Sequence, residues 1–170
     1  AATRGAKGVG RAVGQRDMML EQPCATLEDC ARVRSATGLA MKLDELAHDT
    51  GSLLAAHRLG IMDAVALKLS KFGGISATRR ARDLCLHLGA KMCIECTWGS
   101  DIVTAAALHL GAATAADRVL NVCDLSGYVG PRLAPDALTR SRGRIAPPDA
   151  PGLGIEIDRE SLGAPDRILE

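Results

Sequence analysis

Ala64-Val65-Ala66-Leu67-Lys68-Leu69-Ser70-Lys71-Phe72-Gly73-Gly74 is the stretch on which the fold turns. Side chains alternate sides along a strand. Val65, Leu67 and Leu69 therefore form an apolar face fit to lie under helices, and Ala64, Ala66, Lys68 and Ser70 form the opposite face. A lysine set among small residues suits the interior of a closed barrel. The pattern predicts a strand over Ala64–Leu69, a turn at Gly73-Gly74, and a helix capped by Ser76 that reaches Leu88 before Gly89 stops it. Lys71 has the other parity, so Lys68 is the expected reactive amine and Lys71 is expected to be structural or to face solvent.

The same unit recurs on both sides. Upstream, Met18–Leu20 is a short apolar run, Thr26 and Asp29 cap a helix from Leu27 to Thr37, and Gly38 ends it. Ala40–Leu43 is a second strand, followed by a helical stretch near Ser52–Leu59. Downstream come a strand at Lys91–Glu95, a helix at Asp101–Leu110 and a strand at Val119–Cys123, which leads into a tail rich in proline and glycine. Strand and helix alternating every ~25 to 30 residues predict an α/β fold with a parallel sheet. A doubly wound sheet and a barrel both satisfy the pattern. No Gly-x-Gly-x-x-Gly turn follows any strand, which argues against a dinucleotide fold. The expected organisation is a degenerate or truncated lead-in over residues 1–16, glycine-rich from Ala6 to Arg16, a partial barrel over 17–130 and a closing segment over 131–170.

Composition narrows the partners. Lysine plus arginine number 21 against 20 acidic residues, so the net charge of +1 gives no basis for a nucleic-acid or membrane partner. The apolar run Ile102–Gly111 is broken by Thr104 and His109 and falls short of the ~20 residues a bilayer demands. Cys24, Cys30, Cys85, Cys93, Cys96 and Cys123 lie mostly in apolar periodic segments, which predicts reduced, buried thiols. With no secretory leader opening the chain, a soluble cytoplasmic protein is expected. Cys93 and Cys96 lack a second Cys or His pair at zinc-finger spacing, and alternation turns them to opposite faces.

In parallel barrels chemistry gathers at the carboxyl ends of the strands. Three ends qualify here: Glu21 in Leu20-Glu21-Gln22-Pro23, Asp44-Glu45 after Leu43, and Lys68. Carboxylates from neighbouring strands can share a hard cation such as Mg²⁺, and a lysine on the next strand can serve as base.

Leu20-Glu21-Gln22-Pro23-Cys24, Leu43-Asp44-Glu45, Leu67-Lys68-Leu69-Ser70-Lys71-Phe72-Gly73-Gly74 and Pro148-Asp149-Ala150-Pro151-Gly152-Leu153-Gly154 are similar, in order and spacing, to motifs of one family. They resemble the fourth, fifth and sixth strands and the closing segment of the mandelate racemase and muconate lactonizing enzymes of the enolase superfamily. The resemblance spans residues 17 to 165 and implies the C-terminal portion of a (β/α)₈ barrel. It further implies Glu21 and Asp44 as Mg²⁺ ligands and Lys68 as the acid/base lysine. The chemistry implied is removal of a proton next to the carboxylate of a small substrate, through an enediolate, by a racemase, epimerase or dehydratase. Thr26–Arg34 and Ile94–Ile102 look most like members acting on proline derivatives, the hydroxyproline-betaine epimerases and cis-3-hydroxyproline dehydratases. By that likeness Glu45, Glu95, Cys96 and Cys123 lie near the substrate, and Trp98 is either a pocket wall or a loop anchor.

The family also carries an N-terminal capping domain, a second-strand Lys-x-Lys and a third-strand aspartate. None is recognisable before Met18, where Ala1-Ala2-Thr3-Arg4-Gly5 stands nearest the aspartate motif. Two expectations follow: unpaired strand edges favour self-association into a homo-oligomer, and a catalytically inactive scaffold is the alternative to an enzyme.

Overall fold

The computed structural model describes residues 18–129 and 132–165, so the lead-in and its third-strand reading lie outside the described residues. Five strands, β1 (Met19–Glu21), β2 (Ala40–Leu43), β3 (Ala64–Lys68), β4 (Lys91–Glu95) and β5 (Val119–Cys123), pair in parallel in one sheet. Their spatial order is their chain order. A doubly wound sheet reverses direction part-way, whereas a barrel lays each strand outside the last, so the order selects the barrel. The helices between are α1 (Leu27–Thr37), α2 (Thr50–Arg58), α3 (Leu69–Phe72), α4 (Ile75–His87) and α5 (Ser100–Ala112).

Local chemistry explains where the boundaries differ from expectation. α1 begins as expected, with the Thr26 hydroxyl accepting from the Asp29 amide, and ends at Gly38, whose φ of 69° only glycine adopts freely. α2 starts earlier than expected because Asp49 and Ser52 form a reciprocal capping box. Ser76 does not cap α4. The cap is Gly74, at φ 105°, whose carbonyl accepts from the Thr78 hydroxyl. β3 stops at Lys68 rather than Leu69, because the next residues form the short helix α3 that Gly73 closes at φ 87°.

The register sorts the strand residues into two faces. Glu21 lies opposite Lys42, Lys42 opposite Ala64, and Ala64 opposite Lys91. One layer up, Ala66 lies opposite Cys93 and Cys93 opposite Asn121; above that, Lys68 lies opposite Glu95 and Glu95 opposite Cys123. Every charged strand residue of the sheet is therefore on the face that becomes the barrel interior. The other face is apolar: Met41, Leu43, Val65, Leu67 and Met92 pack with Cys30 and Val33 of α1, Leu53 and Ala56 of α2, and Ala81 and Cys85 of α4. Each large side chain buried there stabilises the fold by roughly 1.5–3 kcal/mol. Ile94 packs against Ala106, Ala107 and Leu110 of α5. The tail holds an element not foreseen, a hairpin of β6 (Arg140–Ser141) and β7 (Arg144–Ile145), and lays Leu138, Ile145 and Ile155 against Ala105 and Leu108. No helix among the described residues is long and apolar enough to cross a membrane.

At the amino ends of the strands, Asp63 joins three elements. Its carboxylate takes both terminal nitrogens of Arg34, from the last turn of α1, and the Met41 amide of β2 at 2.7 Å. Burial alone would raise the Asp63 carboxyl, but the Arg34 guanidinium and the Met41 amide outweigh it and hold it below the usual carboxylate value. A carboxyl depressed in the folded state contributes stability that is full above its unfolded pKa and is lost as pH falls through the folded one. Asp63→Asn should therefore lose about 2 kcal/mol near neutrality and much less at about pH 3. Urea midpoints at both pH values check this; an equal loss at both would sink the assignment.

Candidate active site

The carboxyl ends of the strands hold an alternating chain of carboxylates and ammonium groups. Lys68 Nζ, at the end of β3, donates to Asp44 Oδ2 at 2.5 Å. Lys71 Nζ, on α3, donates to Asp44 Oδ1 at 3.1 Å, to the Asp44 carbonyl at 2.6 Å and to the Ala66 carbonyl at 2.8 Å. On the other side of Lys68, Glu95 Oε2 lies at 3.7 Å. Glu95 Oε1 accepts from Lys42 Nζ at 3.1 Å, and the same ammonium lies 3.0 Å from Glu21 Oε1. The sequence of charges is thus Glu21, Lys42, Glu95, Lys68, Asp44, Lys71, drawn from four strands, the turn after β2 and one helix.

Burial would by itself raise the Asp44 carboxyl, yet its bonds to Lys68 and Lys71 override that and hold it below its ordinary value. Lys68 is pushed the other way: burial lowers it, but the Asp44 bond and the charges of Asp44 and Glu95 carry it above the usual amine value. For Lys71 burial wins, and Lys68 adds to it, so its pKa falls despite Asp44. Lys42 rises because its bonds to Glu21 and Glu95 exceed the cost of burial.

Gln22 builds the loop that carries Asp44. Its Oε1 accepts the amides of Asp44 and Leu46, both at 2.9 Å, while Nε2 donates to Glu45 Oε2 at 2.7 Å. The residue adopts φ 29°, a left-handed conformation unusual outside glycine and common where backbone strain serves a site. Ser70 and Thr97 join the ends of β3 and β4 through a 2.6 Å hydroxyl bond.

The residues singled out in the sequence divide into two groups. Glu21, Asp44, Glu45, Lys68 and Glu95 come together, and Cys123 lies opposite Glu95 on the interior face. Cys96 does not join them: it is fully buried, its sulfur accepting the Leu125 amide at 3.0 Å. Trp98 is 55% exposed at φ 59° and lines a separate recess of about 370 Å³ with Asp101, Ser126, Arg132 and Leu162. Lys71, expected to be structural or solvent-facing, is structural and not solvent-facing. Lys42 and Gln22 were not singled out.

No three Asp, Glu, His or Cys side chains converge tightly enough to cage a metal among the described residues. Glu21 and Asp44 are hard oxygen donors at the carboxyl ends of adjacent strands, the donor chemistry that divalent cations take, and here ammonium groups occupy them, Lys42 on Glu21 and Lys68 with Lys71 on Asp44, which a cation would have to displace.

A family model described as "Enolase C-terminal domain-like" matches residues 2–161. The cis-3-hydroxy-L-proline dehydratase of Roseibium aggregatum is 39% identical over 154 residues, 91% of this chain and 42% of that protein. Chloromuconate cycloisomerase of Pseudomonas putida is 30% identical over 151 residues, 85% of this chain and 40% of that one. The chain thus spans about two fifths of the length of these relatives. A mandelate racemase/muconate lactonizing enzyme from Roseovarius nubinhibens superposes with a TM-score of 0.88 at 33% identity, covering 97% of this chain and 45% of that one. An enolase-superfamily member from the same organism, complexed with magnesium, gives 0.89 at 34% identity with the same 97% and 45% coverage. The five parallel strands and their helices therefore correspond to the C-terminal barrel portion of these enzymes.

Proposed function

The chain belongs to the enolase C-terminal domain-like family, and from that membership we propose that the complete protein removes the proton beside the carboxylate of a small acid, as a racemase, epimerase or dehydratase. The observation that carries the reading is Lys68, whose ammonium sits on the interior face between the carboxylates of Asp44 and Glu95. The likeness to a cis-3-hydroxy-L-proline dehydratase supports an acid of the hydroxyproline type as substrate.

Lys68 is the base and carries the abstracted proton on Nζ. Glu21 and Asp44 would hold Mg²⁺. Bound there, the ion would supply positive charge that lowers the proton affinity of Lys68 and favours the enediolate form of the substrate. Gln22 fixes the Asp44-Glu45 loop, bonding the Asp44 amide and the Glu45 carboxylate, and so holds Asp44 against Lys68. Lys71 keeps Asp44 in place from below, its three protons spent on three acceptors. Glu95 and Cys123 continue the same interior wall on the next two strands.

The test is exchange. With Mg²⁺ present, cis-3-hydroxy-L-proline and proline betaines in D₂O should lose the α-proton NMR signal, and chelation should stop the loss. A protein that is stabilised by Mg²⁺ but exchanges no α-proton of such acids contradicts the substrate class. One that neither binds Mg²⁺ nor exchanges fits a non-catalytic scaffold instead.

A further inference from the structure

We propose that Lys42 is a positioning residue, the internal counter-cation of the metal-free site: it ties Glu21 to Glu95 and must give up Glu21 when a divalent cation binds. The proposal rests on the reading of Glu21 and Asp44 as ligands.

Lys42 lies on the interior face of β2, directly opposite Glu21 of β1. Its ammonium also reaches Glu95 on β4, two strands away in the other direction. That reach is possible because β3 presents the small side chains of Ala64 and Ala66 to the interior beside Lys42, while Lys68, opposite Glu95, sits 3.7 Å from the other oxygen of that carboxylate. Lys42 and Glu95 side chains are 14% and 12% exposed, so their charges are poorly screened and a missing partner would leave a buried charge uncompensated. Glu21, in contrast, has a 56% exposed side chain and can turn away at little cost.

A divalent cation held by Glu21 and Asp44 would compete with Lys42 for the Glu21 carboxylate. Lys42 keeps Glu95 and stays in the barrel as a fixed positive charge beside the new one. In the metal-free protein the lysine therefore stabilises the arrangement; in the metal-bound protein it opposes the ion. Removing it should destabilise the first and favour the second.

Lys42→Met and Lys42→Arg would be compared with the natural sequence in the complete protein. Thermal melting in chelator reads the metal-free state, and calorimetric titration with Mg²⁺ reads the affinity. Lys42→Met should melt lower in chelator and bind Mg²⁺ about ten-fold tighter, the scale of one nearby charge after solvent screening. Lys42→Arg should stay near the natural sequence in both. If the methionine variant does not fold, Lys42→Gln is measured in its place. Unchanged or weaker Mg²⁺ binding in the neutral variant, with normal binding by the natural sequence, overturns the counter-cation role and leaves the two ligands standing. No Mg²⁺ uptake by the natural sequence overturns both.

Discussion

Lys68→Ala should slow α-proton exchange by about 10³-fold, within the 10²–10⁴ range that positioned general bases supply, while leaving the chain folded. The fold should survive because Asp44 keeps its bonds to Lys71 and to the Gln22-supported loop, so no buried carboxylate is left without a partner. Lys68→Arg is the sharper variant. It preserves the positive charge beside Asp44 and Glu95, yet a guanidinium does not deprotonate in water, so exchange should fall as far as in the alanine variant. The rival base is Lys71, whose pKa is the one that burial lowers. Geometry rules against it: all three of its protons are spent on the Asp44 carboxylate, the Asp44 carbonyl and the Ala66 carbonyl, leaving no direction free for substrate. Exchange retained within about ten-fold in both Lys68 variants would transfer the role elsewhere.

The interior face of β3 was legible in the sequence because period-two alternation is a property of the chain alone. For Lys71 the same argument left two readings, structural or solvent-facing, and the structure selects the first. Parity holds only while the strand lasts, and the strand stops at Lys68, where α3 turns the next residues back beneath Asp44. Lys42 carries a signal of the same kind. It shares the parity of Asp44, which points both to the interior, but a lysine before an Asp-Glu strand end draws less notice than the carboxylates after it. Its partner Glu95 lies 53 residues away, a pairing that only the sheet register reveals.

Gln22 had no comparable signal. Its importance lies in a backbone turn at φ 29° and in two amide bonds to a different strand end, neither of which is written in residue type. Cys96 shows the opposite case. Taken two residues past Ile94, its parity already turned it toward the helices, and the family likeness alone placed it by the substrate. The C-terminal tail gave least away, since its hairpin is only two residues a side and its anchors are long-range, Arg140 on Asp124, the Leu153 carbonyl on His109, and one buried carboxylate in α5.

That carboxylate is Asp101, and Asp101→Ala should lower stability by about 3–5 kcal/mol, the cost of breaking a buried charge network by removing one partner. Its side chain is fully buried in the first turn of α5. There it accepts Arg132 Nε at 2.6 Å and the amides of Leu133 and Ala134, each at 2.7 Å. The acid favours the helix amino end by its charge, but its larger role is to bind the tail to the barrel. Leu133, Ala134 and Leu138 are buried behind it. Without the carboxylate, two amides and a guanidinium lose their acceptor, and alanine offers nothing in return. Asparagine should rescue little, because its amide nitrogen would face donors that the second oxygen now satisfies. The urea midpoint should fall with an unchanged slope if the tail and barrel unfold together. If the tail alone detaches, amide exchange should speed up over residues 132–155 while β1 to β4 stay protected. A loss below about 1 kcal/mol with neither change would mean that apolar contact of Leu138 and Ile155 with α5 holds the tail by itself.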